Sequence, residues 1–130
     1  MACLDTSFLI DLLKGKPQVI ELKEELDKNE KALSIPAPVV MELWLGASLA
    51  RIPAKEKEKV NDILQSMQIL SLDEKSAKEA AEIESELTKR GLNIETEDIM
   101  IAAIAKANGE KLVTSDNHFA RIAGLRLLKY

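Results

Sequence analysis

An α/β domain built on a mostly parallel sheet is the fold class this sequence predicts, and two observations predict it. Short apolar runs that suit buried strands alternate with longer stretches whose apolar residues recur every three or four positions. The breaks fall on Gly15, Gly91 and Gly109 and on Pro17, Pro38 and Pro53, residue types that end and open helices. The chain has 130 residues, 46% hydrophobic and 31% charged, which suits one domain over 1–130 with a core of its own.

Taken in order, ACLD is a first buried strand and TSFLIDLLKG a short helix ending at Gly15. Pro17 opens a second helix carrying Val19, Leu22 and Leu26. ALSIP is a second strand, expected to stop before Pro36. Pro38 to about Leu49 is helical, with Val39, Val40, Leu43, Ala47 and Ala50 on one face. Pro53 opens a helix with Val60, Ile63, Leu64 and Met67, and QILSL is a third strand. Asp73 caps a long helix with a stripe through Ala77, Ala80, Ala81, Ile83 and Leu87, stopped at Gly91. A helix follows from about Glu97 to Asn108, then a fourth strand, KLVTS. A short helix spans Asn117 to Ala123, and LRLLKY is a last strand, placed at an edge.

Composition narrows the function classes. The single cysteine, Cys3, lies in an apolar strand and reads as a small buried hydrophobe, which suits a reducing cytoplasm. The opening apolar run lacks a basic leader and is cut by Asp5 and Asp11, so no secretory signal is read there. No run approaches the roughly 20 apolar residues of a membrane span. A soluble cytoplasmic protein is the expectation. The net charge of −4 argues against holding nucleic acid by bulk charge, but bound cations invert a local field.

Four carboxylates draw attention. Asp5 ends the first strand and Asp116 follows the fourth; in a parallel α/β sheet, ligands sit beyond such strand ends where strand order reverses. Each alone reads first as a cap for the helix after it. Asp98 opens the helix DIMIAAIAKA, which is apolar on nearly every side and so predicted to be buried, and a buried carboxylate needs a partner. Glu42 sits at the margin of the Val39–Leu43 stripe, one turn before Gly46, where a missing side chain leaves room for a ligand. Alone it reads as a solvated surface residue. Together, four acids in one crevice would repel one another without cations, and an all-oxygen set selects Mg²⁺ or Mn²⁺. Such a site suits phosphodiester hydrolysis by metal-activated water. Lys14 and Lys16, after the first helix, and Arg51 are candidates for steering RNA toward it. Trp44, between Leu43 and Leu45, reads as core packing, with an exposed partner-binding role as the alternative. His118, the only histidine, reads as a polar residue at a helix start.

Four segments, DTSFLID (5–11), MELWLG (41–46), EDIMIAAIA (97–105) and LVTSDNHFARIAGL (112–125), resemble in order and spacing the PIN-domain proteins of the VapC toxin type. The resemblance spans nearly the whole chain. It implies a Rossmann-like sheet of order 3-2-1-4-5, a Mg²⁺/Mn²⁺-dependent endoribonuclease, a homodimer and inhibition by a small antitoxin. By motif position Asp5, Glu42 and Asp98 match the main acidic ligands and Asp116 the more variable fourth. Thr6, Ser7 and Thr114 match hydroxyls that support the ligands or touch phosphate; His118 matches no catalytic position. Two rival readings are a metal-dependent phosphohydrolase, weakened because Thr6-Ser7 rather than a second aspartate follows Asp5, and a non-catalytic interaction module, weakened because all four acidic positions are filled.

Overall fold

The computed structural model describes residues 1–30 and 32–130. The elements are β1 (Ala2–Leu4), α1 (Thr6–Leu13), α2 (Pro17–Asn29), β2 (Leu33–Pro36), α3 (Ala37–Ser48), α4 (Pro53–Gln65), β3 (Gln68–Leu70), α5 (Glu74–Lys89), α6 (Thr96–Ala107), β4 (Lys111–Thr114), a 3₁₀ turn (His118–Arg121) and β5 (Leu127–Lys129). The five strands form one sheet of order β3-β2-β1-β4-β5, and each of its pairings is parallel. This is the predicted class and strand order.

β1 lies at the centre, with Ala2 and Cys3 beside Leu33 and Ser34 on one side and Ala2 to Leu4 beside Lys111 to Val113 on the other. A strand paired on both edges and covered on both faces has no solvent side, which is why ACL is apolar throughout and fully buried. Cys3 is buried, as expected, and burial holds its thiol far above the ordinary range. α6 contributes Ile99, Ile101, Ala102, Ala103, Ile104 and Ala105 to the same core and packs against α5, α3, β2 and β4. Its alanines let those neighbours approach closely. α5 begins with a capping box: the Asp73 carboxylate accepts from the Ser76 amide at 2.9 Å, and the Ser76 hydroxyl accepts from the Asp73 amide at 2.8 Å. No helix among the described residues is long and apolar enough to cross a membrane.

Three local expectations change. β2 does not stop before Pro36; the proline is its last residue and stands beside Leu70 of β3. The β1 register on β2 runs from Leu33 to Ser34, so Pro36 leaves no bond to β1 unmade. The helix expected over Asn117–Ala123 is a single 3₁₀ turn, because Phe119 and Ile122, three residues apart, both turn inward. Trp44 is not in the core: it is 37% exposed on α3, with the Lys57 ammonium 5.4 Å from its ring centroid. It is part of an exposed apolar row on α3 and the turn after it, with Met41, Leu45, Leu49 and Ile52.

Candidate active site

The sheet order places the reversal of strand order between β1 and β4, with β1 leading to β2 on one side and β4 lying on its other side. Asp5 is the residue after β1, and Asp116 lies two residues past β4, so both acids stand at the carboxyl ends that flank this crevice. α1 starts immediately after Asp5 and α3 immediately after β2, which brings Thr6 and Glu42 to the same end of the sheet. α6 presents Asp98 in its first turn.

Asp5 is buried and makes no capping bond to α1. Its Oδ2 instead accepts from the Thr114 hydroxyl at 2.7 Å and from the Ser7 hydroxyl at 3.3 Å. Burial raises its pKa; the Thr114 bond and the Thr6 backbone amide oppose that rise, and the charges of Asp116 and Asp98 add to it. Asp116 does not cap the turn that follows, whose cap position is Asn117. Its own amide donates to the Thr114 hydroxyl at 3.1 Å, so Thr114 ties the two strand-end acids together. For Asp5 the capping role suggested in isolation is displaced by bonding across the crevice, while Asp116 leaves the cap position to Asn117 and bonds back to Thr114 through its amide.

Glu42 is half-buried, not a solvated helix residue, and its Oε1 accepts from the Thr6 hydroxyl at 2.7 Å. Its pKa is raised, first by burial, then by repulsion from Glu97, Asp5 and Asp98, while the Thr6 bond lowers it. Asp98 has a side chain 26% exposed and lies 3.1 Å through Oδ2 from His118 Nε2. Burial raises its pKa, the His118 contact lowers it, and Asp116 and Glu95 raise it further. Repulsion links Asp5 with Asp116 and Asp98, Glu42 with Asp5 and Asp98, and Asp98 with Asp116, in keeping with their common place at one end of the sheet.

The predicted hydroxyls Thr6, Ser7 and Thr114 each hold a carboxylate in this cluster. Lys14 and Arg51 line a cavity that begins at Glu42, whereas Lys16 does not line it and pairs with Asp11 at 3.0 Å.

Three participants were not foreseen. His118 touches Asp98, so the site does contain a placed imidazole. Glu97 has a buried Oε1 with no hydrogen-bond partner among the described residues and is the strongest source of repulsion on Glu42. Tyr130 packs edge-on against Phe8, with centroids 5.5 Å apart, and its hydroxyl reaches Ser7 at 3.5 Å. Nothing local signals the His118 and Tyr130 contacts, since they close over 20 and 123 positions. Glu97 had one signal, its place beside Asp98, but two acids in a helix's first turn read equally as partners of its dipole.

Carboxylate oxygens that are desolvated and mutually repelling are the donor set of a hard divalent cation. As the side chains stand, each carboxylate but Asp116 is turned to a hydroxyl or the imidazole, and no three acidic, histidine or cysteine groups among the described residues converge on one ion position. The chemistry of the donors fits Mg²⁺ or Mn²⁺, and holding either would require those side chains to turn inward.

Comparison with known proteins bears on the family and the fold. The chain is 32% identical over 124 residues to ribonuclease VapC2 of Haemophilus influenzae, covering 95% of this chain and 92% of that protein. It is 29% identical over 124 residues to the tRNA(fMet)-specific endonuclease VapC of Shigella flexneri, with the same coverage, 95% and 92%. In three dimensions it is similar to the crystal structure of VapBC2 from Rickettsia felis bound to a DNA fragment from its promoter, with a TM-score of 0.93, 27% identity and coverage of 99% and 98%. Residues 2–125, from β1 through the turn before β5, match the PIN domain, and the chain belongs to that family.

Proposed function

We propose that this protein is an endoribonuclease that hydrolyses RNA phosphodiester bonds and depends on Mg²⁺ or Mn²⁺. The observation that carries the reading is the placement of Asp5, Glu42 and Asp98, from separate parts of the chain, at one end of the sheet, where burial and repulsion raise the pKa of each. The names of the Haemophilus and Shigella relatives support it.

In this reading Asp5, Glu42, Asp98 and Asp116 hold one or two ions. A bound ion supplies Lewis acidity and a water of lowered pKa. Thr6 holds the carboxylate of Glu42 and Thr114 that of Asp5 at the crevice, and both would turn from these hydroxyls to meet an ion. Lys14, Lys16 and Arg51 draw the RNA backbone toward an otherwise acidic molecule.

Asp98→Asn keeps the size and the His118 contact but removes a charge. Cleavage of single-stranded RNA should fall about 100-fold or more with an unchanged circular dichroism spectrum. Wild-type rates in the purified variant would falsify the assignment.

The VapC resemblance and the VapBC2 structure support a further part of the reading, that the chain is the toxin of a toxin–antitoxin pair, works as a homodimer and is restrained by a small antitoxin. The exposed row of Met41, Leu45, Leu49 and Ile52 supplies apolar surface for such partners. Expression in a bacterial host should arrest growth, and co-expression of the small gene upstream should relieve the arrest. Growth unaffected by the chain alone would leave only the nuclease.

A further inference from the structure

A cavity of about 540 Å³ opens between α1, α3 and α4 with Glu42 on its wall, within the range of roughly 300–1,000 Å³ that small ligands occupy. Its two halves differ in chemistry. The floor is apolar, made by Leu13 of α1, Leu43 and Ala47 of α3 and Val60 of α4. The rim is cationic: Lys14, Arg51 and Lys55 are exposed there, and no ion pair holds any of them among the described residues, whereas Lys59 is paired with Glu56 at 3.3 Å. In a chain of net charge −4, three free cations around one apolar hollow are a local reversal of sign.

An apolar floor takes a flat, weakly hydrated group, a ring of free cations takes phosphates, and the Glu42 wall places both beside the scissile phosphate of the proposed reaction. We infer that this cavity is the subsite for one unpaired nucleobase of the RNA, adjoining the bond that is cut, with Lys14, Arg51 and Lys55 on the flanking phosphates. The inference rests on the ribonuclease reading and adds to it a source of selectivity: a base held inside a duplex cannot enter, so single-stranded or looped RNA is selected.

Gly46 offers the means of testing it. The glycine is helical and lines the cavity, and a Cβ built there meets nothing within 4 Å, so Gly46→Leu fills the hollow while improving the helix. The experiment measures kcat/KM for eight-nucleotide single-stranded RNAs in which one abasic ribose is walked through the sequence, with wild type and with Gly46→Leu. In wild type, one abasic position beside the cleaved bond should lower kcat/KM about tenfold. In Gly46→Leu the intact RNA should already be about tenfold slower, and the abasic substitution should cost nothing further. Lys55→Gln should raise KM and flatten its salt dependence.

A melting curve checks the fold of Gly46→Leu, and Ala50→Leu on the same wall replaces it if needed. An abasic penalty that persists undiminished in the filled variant, or that appears at no single position, overturns the inference. So does a filled variant that cleaves RNA normally but escapes inhibition by the antitoxin, which would give the cavity to a protein segment. RNA left intact by wild type in Mg²⁺ and Mn²⁺ is a separate outcome: the ribonuclease reading then fails and takes this subsite with it.

Discussion

Each acid in the crevice depends on a neighbour that is not itself acidic. Thr114 is buried and its single hydroxyl serves two partners, Asp5 at 2.7 Å and the Asp116 amide at 3.1 Å. Thr6 serves Glu42 alone. Replacement of Thr114 by Val should therefore slow RNA cleavage more than replacement of Thr6 by Val, by about 100-fold against about 10-fold, the span seen when supporting groups around a metal site are removed. Thr6→Ser keeps the hydroxyl and should restore most of the rate, which a simple packing role for Thr6 would not do. At this scale the sequence was informative about which side chains matter and less so about what they touch. Asp5, Glu42, Asp98 and Asp116 could be named from strand ends, the apolar helix of Asp98 and motif order. Each alone had an ordinary explanation, cap or surface residue, and only the crossing of two strands and two helices displaces it. His118 reads from sequence as a polar residue at a helix start that matches no catalytic position, and its approach to Asp98 comes from how the 3₁₀ turn folds back on the burial of Phe119 and Ile122.

Elements were legible wherever start and stop chemistry was written into the chain. α2 and α4 begin on Pro17 and Pro53 as expected, and α5 begins at the Asp73 box and ends before Gly91. Gly91 has φ of +70°, a left-handed conformation that costs a residue with a Cβ about 1 kcal/mol. Gly91→Ala should lower the free energy of unfolding by that amount, read as a lower urea midpoint at unchanged slope, because a Cβ there meets no atom within 4 Å and the penalty is purely conformational. Where signals were missing, the boundaries moved. Pro36 was expected to end β2 outside the strand, yet the partner on one side runs out before the other, and a proline fits at that margin. Trp44 was given to the core because it lies between two leucines, but neighbours on a helix point about 100° apart, and only Leu43 faces inward.

For the molecule as a whole, the acidic crevice costs stability at neutral pH. Asp5, Glu42 and Asp98 all have raised pKa values, so the folded state binds protons more readily than the unfolded chain. Their relative stabilisation is full below the unfolded carboxylate range and is lost as pH rises through the folded values. Glu30, bonded to Lys111, and Asp73, in its capping box, are lowered and work in the opposite sense, losing their contribution in acid. A difference between two proteins isolates the crevice. Without metal at pH 7, Asp98→Asn should melt a few degrees above wild type, and the gap should close as pH falls through the raised range in which Asp98 takes up its proton. Millimolar Mg²⁺ or Mn²⁺ should raise the melting temperature of wild type by a few degrees and that of Asp98→Asn by less. A wild type indifferent to both ions would contradict the assignment of a cation site. The fold class was readable because alternation of apolar strands with periodic helices permits few arrangements, whereas the strand order came only with the resemblance to the PIN-domain proteins. What could not be read was the side-chain bonding in the crevice, which depends on contacts closing over more than thirty positions.

The bond between Thr114 and Asp5 spans 109 positions, and β1 cannot complete the centre of the sheet until β4 arrives beside it. A fragment released before β4 is made therefore lacks both the strand beside β1 and the hydroxyl that holds Asp5, and if the proposed activity holds it should cleave no RNA, so that activity would arise only when the chain is nearly finished.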